Sequence, residues 1–424
     1  MPLTWLSIAR LGLVQSAIGA MVMLSTSLLN RVMVVEYAMA AAVPAGLVAW
    51  HYAVQLSRPA WGHGSDRGGR RTPWIIGGMA VLAIGSMLAV AATVWHMLAL
   101  AIVAFSLIGA GVGAAGTSLL ALLATCTSPE RRAGAASLTW IMMVVGIIIA
   151  AGVAGRLLDP FSVDRLVAVV GGVTLVAFAV ALIGGWGVER GAAVDARLAS
   201  SIAFGTAIRE IWADPEARNF TIFVFMSMLA YSMQDMILEP FAGLMFAYTP
   251  GQSTSLSGIQ HQGVLAGMIL VGVGARAFGG ATARGLRNWT LAGCCGSAVA
   301  LMGLAVAAQV APNWPLAANV ALLGLCNGVF AVSAIGAMMA LAGQGGESRE
   351  GIRMGVWGAS QAIAFGLGGL SGAVGVDAMR RITGADGVAF SNVFAVEAGL
   401  FLVAALLATG VVSSAPARAR EILA

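Results

Sequence analysis

The sequence predicts an all-α polytopic membrane protein of 12 transmembrane helices, set out as two pseudo-symmetric halves of six. Three observations predict it. Of 424 residues, 59% are apolar and only 10% are charged, against roughly 25% charged in a soluble domain. The 23 basic residues are all Arg and sit in short gaps between apolar runs. Those runs recur in the same order along the chain. So few charges cannot clothe a water-soluble surface, which excludes a soluble enzyme, a disordered chain and a disulfide-rich secreted scaffold. A strand-built membrane barrel would show alternating spans of ~10 residues, and none appear. The net charge of +5 comes from loop arginines, so no nucleic-acid partner is expected.

Each span follows from a stretch free of Asp, Glu, Lys and Arg, since a membrane helix needs roughly 20 apolar residues. Residues 11–30 give the first span and 37–57 the second. The 58-residue run 72–129 holds the third and fourth, with a turn near Trp95-His96. Residues 133–155 and 166–188, 23 each, are the fifth and sixth. The seventh lies near 219–239 and carries Asp235 and Glu239. It begins at Asp214-Pro215-Glu216, where Asp suits a helix cap and Pro the first turn. It is expected to end at Pro240, leaving the aromatic stretch 240–250 as a short interfacial helix touching lipid or a docking surface for another membrane protein. The run 240–275 contains the eighth span. The 59-residue run 288–346 holds the ninth and tenth, turning at Pro312-Asn313-Trp314-Pro315. Residues 354–376 are the eleventh, and the twelfth, near 390–412, carries Glu397.

The long double runs start 216 residues apart, and the 23-residue runs that follow them start 221 apart. The expected organisation is therefore a first half at 1–187, a connector at 188–218 containing an amphipathic stretch, and a second half at 219–424. Two parallel six-helix halves are the layout of the major facilitator superfamily. Placing the N-terminus in the cytoplasm puts 18 arginines inside and five outside, so both termini are expected to be cytoplasmic. Arg10 follows an apolar start with no basic region ahead of it, and a cleaved secretion signal is not expected. The four cysteines have no metal-ligand spacing and read as packing residues, and no metal-ion site is expected.

Three groups of residues carry candidate chemistry. The loop between spans two and three reads Gly62-His63-Gly64-Ser65-Asp66-Arg67-Gly68-Gly69-Arg70-Arg71. Its Gly62, Asp66, Arg67, Gly69, Arg70 and Arg71 resemble the signature loop of the major facilitator superfamily. The glycines allow a tight turn, the arginines stay in the cytosol, and Asp66 can pair with Arg or cap the next helix. The matching loop of the second half, 281–290, has no acid.

The second group is an outer-mouth polar cluster, with Asn30, Arg31 and Glu36 at the end of span one and Gln234, Asp235 and Glu239 at the end of span seven. Asp235 and Glu239, at i and i+4, share a helix face. Arg31 is the nearest cation by topology. A gate or ligand site and an ion pair that locks the halves both fit. The third group is His51 in span two and His261 at the start of span eight. Each could ligate the magnesium of a chlorophyll-type macrocycle or make an ordinary interhelical hydrogen bond.

Leu29-Asn30-Arg31-Val32-Met33-Val34-Val35-Glu36 and Gln234-Asp235-Met236-Ile237-Leu238-Glu239-Pro240-Phe241 resemble hallmark segments of the PucC, or bacteriochlorophyll-delivery, family. Ser65-Asp66-Arg67 and Arg70-Arg71-Thr72-Pro73-Trp74-Ile75 do too, and the resemblance spans nearly the whole chain. It implies a bacterial inner, photosynthetic membrane protein that assists light-harvesting antenna assembly by binding or delivering bacteriochlorophyll. The implied partners are antenna polypeptides, the reaction-centre core, lipid and bacteriochlorophyll synthase. Some family members bear the name of a synthase chain. A membrane prenyltransferase needs paired Asp-rich motifs for magnesium diphosphate. Only Asp235 and Glu239 are so spaced, and no enzymatic role is expected. Two rival readings are an accessory subunit of pigment synthesis and a proton-coupled transporter using Asp235, Glu239 or Glu397.

Overall fold

The computed structural model describes residues 3–58, 61, 65, 70–127, 129–189, 212–213, 215–277, 283–342 and 350–411. All the regular secondary structure among these residues is helical. In order the helices are α1 Trp5–Glu36, α2 Ala42–Gln55, α3 Thr72–Val94, α4 Leu98–Cys126, α5 Pro129–Leu157 and α6 Val163–Gly185. The second series is α7 Pro215–Phe246, α8 Pro250–Ala277, α9 Ala283–Val310, α10 Leu316–Ala342, α11 Glu350–Thr383 and α12 Asp386–Val411. Eleven of them, among the described residues, are long and apolar enough to cross a membrane. The exception is α2, at 14 residues. The expected turns at Trp95-His96 and Pro312–Pro315 are where α3 gives way to α4 and α9 to α10.

Two helices depart from the sequence reading. α1 continues past residue 30 to Glu36. α7 runs through Pro240 to Phe246, so 240–250 is not a separate interfacial segment. Proline removes one intrahelical hydrogen bond. In an apolar surrounding a helix still satisfies more backbone groups than any irregular path would. The amphipathic stretch of the connector lies outside the described residues, apart from Trp212.

The chain divides into two compact units, Met1–Ala199 with Leu238–Gly258, and Ser200–Ile237 with Ile259–Ala424. The division falls inside α7. In the first unit α3 packs along α4 and α6, α1 along α5 and α6, and α2 along α4. In the second, α9 packs on α10 and α12, and α11 on α12. α8 and α10 meet backbone to backbone. A Cβ added at Gly324 would lie 2.1 Å from the Gln260 carbonyl oxygen, and one at Gly267 2.2 Å from that of Leu325. Such close approach is the packing mode of helices in lipid, where apolar burial supplies no driving force between them.

Candidate functional site: a buried charge cluster and its neighbours

The end of α1 is wound differently from the rest. Residues 24–28 and 32–36 form widened turns in which each N–H reaches the carbonyl five residues back. The Tyr37 N–H, for example, donates to Val32 at 3.2 Å. These turns flank Leu29-Asn30-Arg31. Widened turns of this kind are rare and frequent at functional sites. In a regular α-helix neighbours on one face are three or four residues apart. The widened turn brings residue 36 beside residue 31, and the Arg31 guanidinium is paired with the Glu36 carboxylate.

Arg31 is 2% exposed and Glu36 30%. A second guanidinium nitrogen donates to the carbonyl of Tyr248 at 2.7 Å. Gly243 makes room for it, since a Cβ there would lie 3.1 Å from that nitrogen. Glu239 sits in the same unit, 2% exposed. Its Oε1 accepts from the Ser257 hydroxyl at 2.6 Å, and both Arg31 and Thr254 act on it. The direct carboxylate partner of Arg31 is thus Glu36, with Glu239 in its field at longer range. Glu239 Oε2 and Arg31 Nε are buried without a hydrogen-bond partner. One cation and two carboxylates leave a formal charge of −1, with one open acceptor and one open donor. Buried polar atoms without partners are costly in a membrane interior and mark functional positions.

Asn30 is buried next to this cluster in sequence. Gln234 and Asp235 fall in the second unit. There Gln234 is fully buried and Asp235 half-buried, with Glu397 of α12 beside Asp235. The six residues read from the sequence as one mouth therefore divide between two compact units.

The histidines differ from each other. His51 is 1% exposed. Arg58 donates to Gln55 Oε1, which orients the amide so that Gln55 Nε2 donates to His51 Nε2 at 2.9 Å. The imidazole lone pair at Nε2 is therefore used, and Nδ1 carries the proton. Such a residue does not fit an axial magnesium ligand. His261 is half-buried on α8, between buried Gln260 and exposed Gln262.

In the loop motif, Gly62, Asp66, Arg67 and Gly69 lie outside the described residues. Arg70 is exposed and Arg71 buried. A residue that sequence reasoning passed over, Glu189 beyond the end of α6, closes this region. Its carboxylate accepts from the Arg71 N–H at 2.8 Å, the Thr72 N–H at 3.0 Å and the Thr72 hydroxyl at 2.9 Å. It thereby caps the N-terminus of α3, where negative charge is favourable. Its only signal in the sequence is that it ends the apolar run 166–188. Ser257, Thr254 and the Tyr248 carbonyl were also missed. Hydroxyls and carbonyls carry no pattern that separates a site from packing.

Comparison with known proteins brings in the chemistry. The model of the family described as PUCC protein matches residues 28–415. The Bacteriochlorophyll synthase 44.5 kDa chain of Rhodobacter capsulatus is 52% identical over 98% of this chain and 97% of its own. Protein PucC of Rhodobacter capsulatus is 29% identical over 93% of this chain and 90% of its own. Among solved structures, a crystal structure of the nucleoside transporter NupG superposes with a TM-score of 0.67 at 14% identity, covering 96% of this chain and 99% of the transporter. That likeness gives the fold of the major facilitator superfamily, and the fold alone.

The expectation of no enzymatic role is overturned by the relative at 52% identity, which is named as a chain of a synthase along its whole length. The motif argument asked only whether one chain holds its own magnesium-diphosphate site. It does not reach a role exercised as a chain of an enzyme. Among the described residues no group of three or more His, Cys, Asp or Glu gathers as a metal site. With the family model matched over 388 residues and a full-length relative above half identity, the chain is a multi-pass membrane protein that belongs to the PucC family.

Proposed function

We propose that this protein serves bacteriochlorophyll synthesis in the bacterial photosynthetic inner membrane, as a synthase-associated chain that receives or hands on pigment. The observation that carries this reading is the 52% identity, end to end, with a relative named as a bacteriochlorophyll synthase chain. A second reading, assistance to light-harvesting antenna assembly with antenna polypeptides or the reaction-centre core as partners, is favoured by the relatives named PucC at 29% identity. The arginine distribution supports a cytoplasmic position for both termini.

The polar groups suited to the pigment are those of the first unit. Bacteriochlorophyll would supply a magnesium ion that takes a donor atom and carbonyl groups that accept hydrogen bonds, and Glu239 and Arg31 would hold them. Glu239 Oε2 is an open acceptor and Arg31 Nε an open donor, and both are shielded from water. The contact of Gln55 Nε2 with His51 Nε2 supports a packing role for His51, and His261 is the rival imidazole. His51→Ala is expected to leave the pigment retained by the purified protein unchanged, read from its absorption spectrum. Loss of pigment in His261→Ala with Glu239 variants unaffected would transfer the axial role to His261.

The test of the function is affinity purification of the tagged full-length chain from mildly solubilised phototrophic membranes, alongside a deletion strain. The expected result is enrichment of the synthase and a severalfold fall in bacteriochlorophyll per cell on deletion. A fall confined to antenna absorption, with antenna polypeptides and no synthase in the eluate, would favour the second reading. Unchanged pigment and neither partner would overturn both.

A further inference from the structure

The first unit holds an apolar groove that the pigment reading does not use, at the end where α2 stops and α3 starts. Its volume is about 310 Å³, at the small end of ligand pockets, which run from roughly 300 to 1,000 Å³. One wall is α3 at Pro73, Trp74 and Gly77, and the other is α4 at Ala110 and Ala114. Trp61 lies across the α4 wall, since a Cβ added at Gly113 would be 3.3 Å from its indole. The Trp61 N–H donates to the Ser57 hydroxyl at 2.9 Å, which fixes the ring. The Trp61 and Trp74 rings lie 6.3 Å apart. The space between the walls is open, for a Cβ at Gly77 would meet nothing within 4 Å.

Along α3 the groove continues into an exposed apolar stripe. Pro73 and Gly77 are exposed. Ile84 is 11 residues on from Pro73, about three turns and so on the same face, and it is 56% exposed. At the loop end the chemistry changes. Arg58 is exposed, and its stem passes over the α4 wall, with Cγ 3.8 Å from where a Cβ on Gly113 would stand. Its guanidinium donates to Gln55 Oε1, which uses one of the five N–H groups such a side chain offers. Arg70, three residues before Pro73, is exposed as well. The N-terminus of α3 is already taken, because Glu189 accepts from the N–H groups of Arg71 and Thr72. The groups offered to an anion here are therefore the two arginine side chains.

An apolar slot, two indoles at its mouth and two arginines beside them match an amphiphile with a single chain to bury and an acidic head. Indoles settle at the headgroup level of a bilayer. Basic residues between membrane helices hold anionic headgroups. Taken as a cube, the groove is about 7 Å on a side, narrower than a helix of about 10–12 Å, so a hydrocarbon chain enters where a helix of a second copy does not. We propose that the groove is a binding site for an anionic phospholipid. One acyl chain lies against Gly77, Ala110 and Ala114, and the phosphate sits between Arg58 and Arg70. The bound lipid ties the end of α2 to the start of α3, independent of whether the first unit handles pigment.

The test uses the full-length protein in detergent, stripped of lipid and titrated with phosphatidylglycerol or phosphatidylcholine carrying the same brominated chains. Bromine quenches indole fluorescence at contact, and Trp61 and Trp74 line the groove. Their share of the quenching is the part absent from the Trp61→Phe, Trp74→Phe protein. In that share, phosphatidylglycerol is expected to bind about tenfold more tightly than phosphatidylcholine, the scale for two arginines near an anionic head. Arg58→Gln with Arg70→Gln should bring the two lipids to the same, weaker affinity. Gly77→Leu puts a side chain where nothing stands within 4 Å, so it should fold normally and lose this quenching with both lipids. Circular dichroism and monodispersity check folding, and Ala110→Leu on the opposite wall replaces Gly77→Leu if the latter does not fold. Equal binding of the two lipids by wild type, or a folded Gly77→Leu protein that still takes phosphatidylglycerol like wild type, would overturn the proposal. So would a wild type that binds neither lipid at the groove and forms dimers that Gly77→Leu abolishes, which would give the groove to a second copy.

Discussion

Arg31→Ala is expected to cost about 3–5 kcal/mol of stability, the scale for breaking a buried ion pair by removing one partner. The loss has three parts. The Glu36 carboxylate loses its direct counterion. The Tyr248 carbonyl loses the donor that reaches it at 2.7 Å. Glu239, 2% exposed, loses the field of the Arg31 cation. The guanidinium also fills the space over Gly243, so its deletion leaves a cavity as well as uncompensated charge. The readout is thermal unfolding of the purified protein in detergent, followed by helical circular dichroism. The double variant Arg31→Met, Glu36→Met should regain most of the loss, because an ion pair exchanged for apolar groups of similar volume is often neutral or better. An Arg31→Ala protein that melts with the wild type would show that the cluster carries no structural weight.

The sequence made some of this visible and hid the rest, for reasons tied to particular residues. The spans were legible because a charge in lipid is expensive, so gaps between Arg and acidic residues mark helix ends almost directly. The turns at Trp95-His96 and Pro312–Pro315 showed because bulky, polar and proline residues interrupt two otherwise unbroken apolar runs. Arg31, Glu36 and Glu239 stood out for the same reason, as charges where few are tolerated. Their pairing did not. Residues five apart do not face each other on an ordinary helix, and nothing in Val32–Glu36 announces a widened turn. Pro240 misled in the opposite direction. It reads as a helix end in water, but in an apolar setting the helix closes around it. The assignment of Leu238–Gly258 to the first compact unit rests on contacts distant in sequence, such as the Thr249 hydroxyl to Asp159 at 2.8 Å. No local pattern encodes them.

Glu239→Gln separates a clamp from a ligand site, and the two roles predict opposite results. Glutamine keeps the shape of the side chain and an oxygen that can accept from Ser257, now 2.6 Å from the carboxylate. Glu239 makes no direct ion pair with Arg31, whose partner is Glu36, so little structural electrostatics is lost. Stability should change by about 1 kcal/mol or less, the worth of an ordinary hydrogen bond. Binding should respond far more. The oxygen left open at Glu239 is the group offered to the pigment, and exchanging a carboxylate for an amide removes a charged acceptor worth about 1.5–3 kcal/mol. Since 1.4 kcal/mol is tenfold in affinity, pigment retained by the purified protein should fall about tenfold or more. Cells carrying the variant should approach the pigment level of the deletion strain, with normal amounts of the protein in the membrane. A variant that melts several degrees lower yet keeps its pigment would make Glu239 part of the scaffold. The open oxygen would then be filled by water, and the pigment contact would have to be sought at His261.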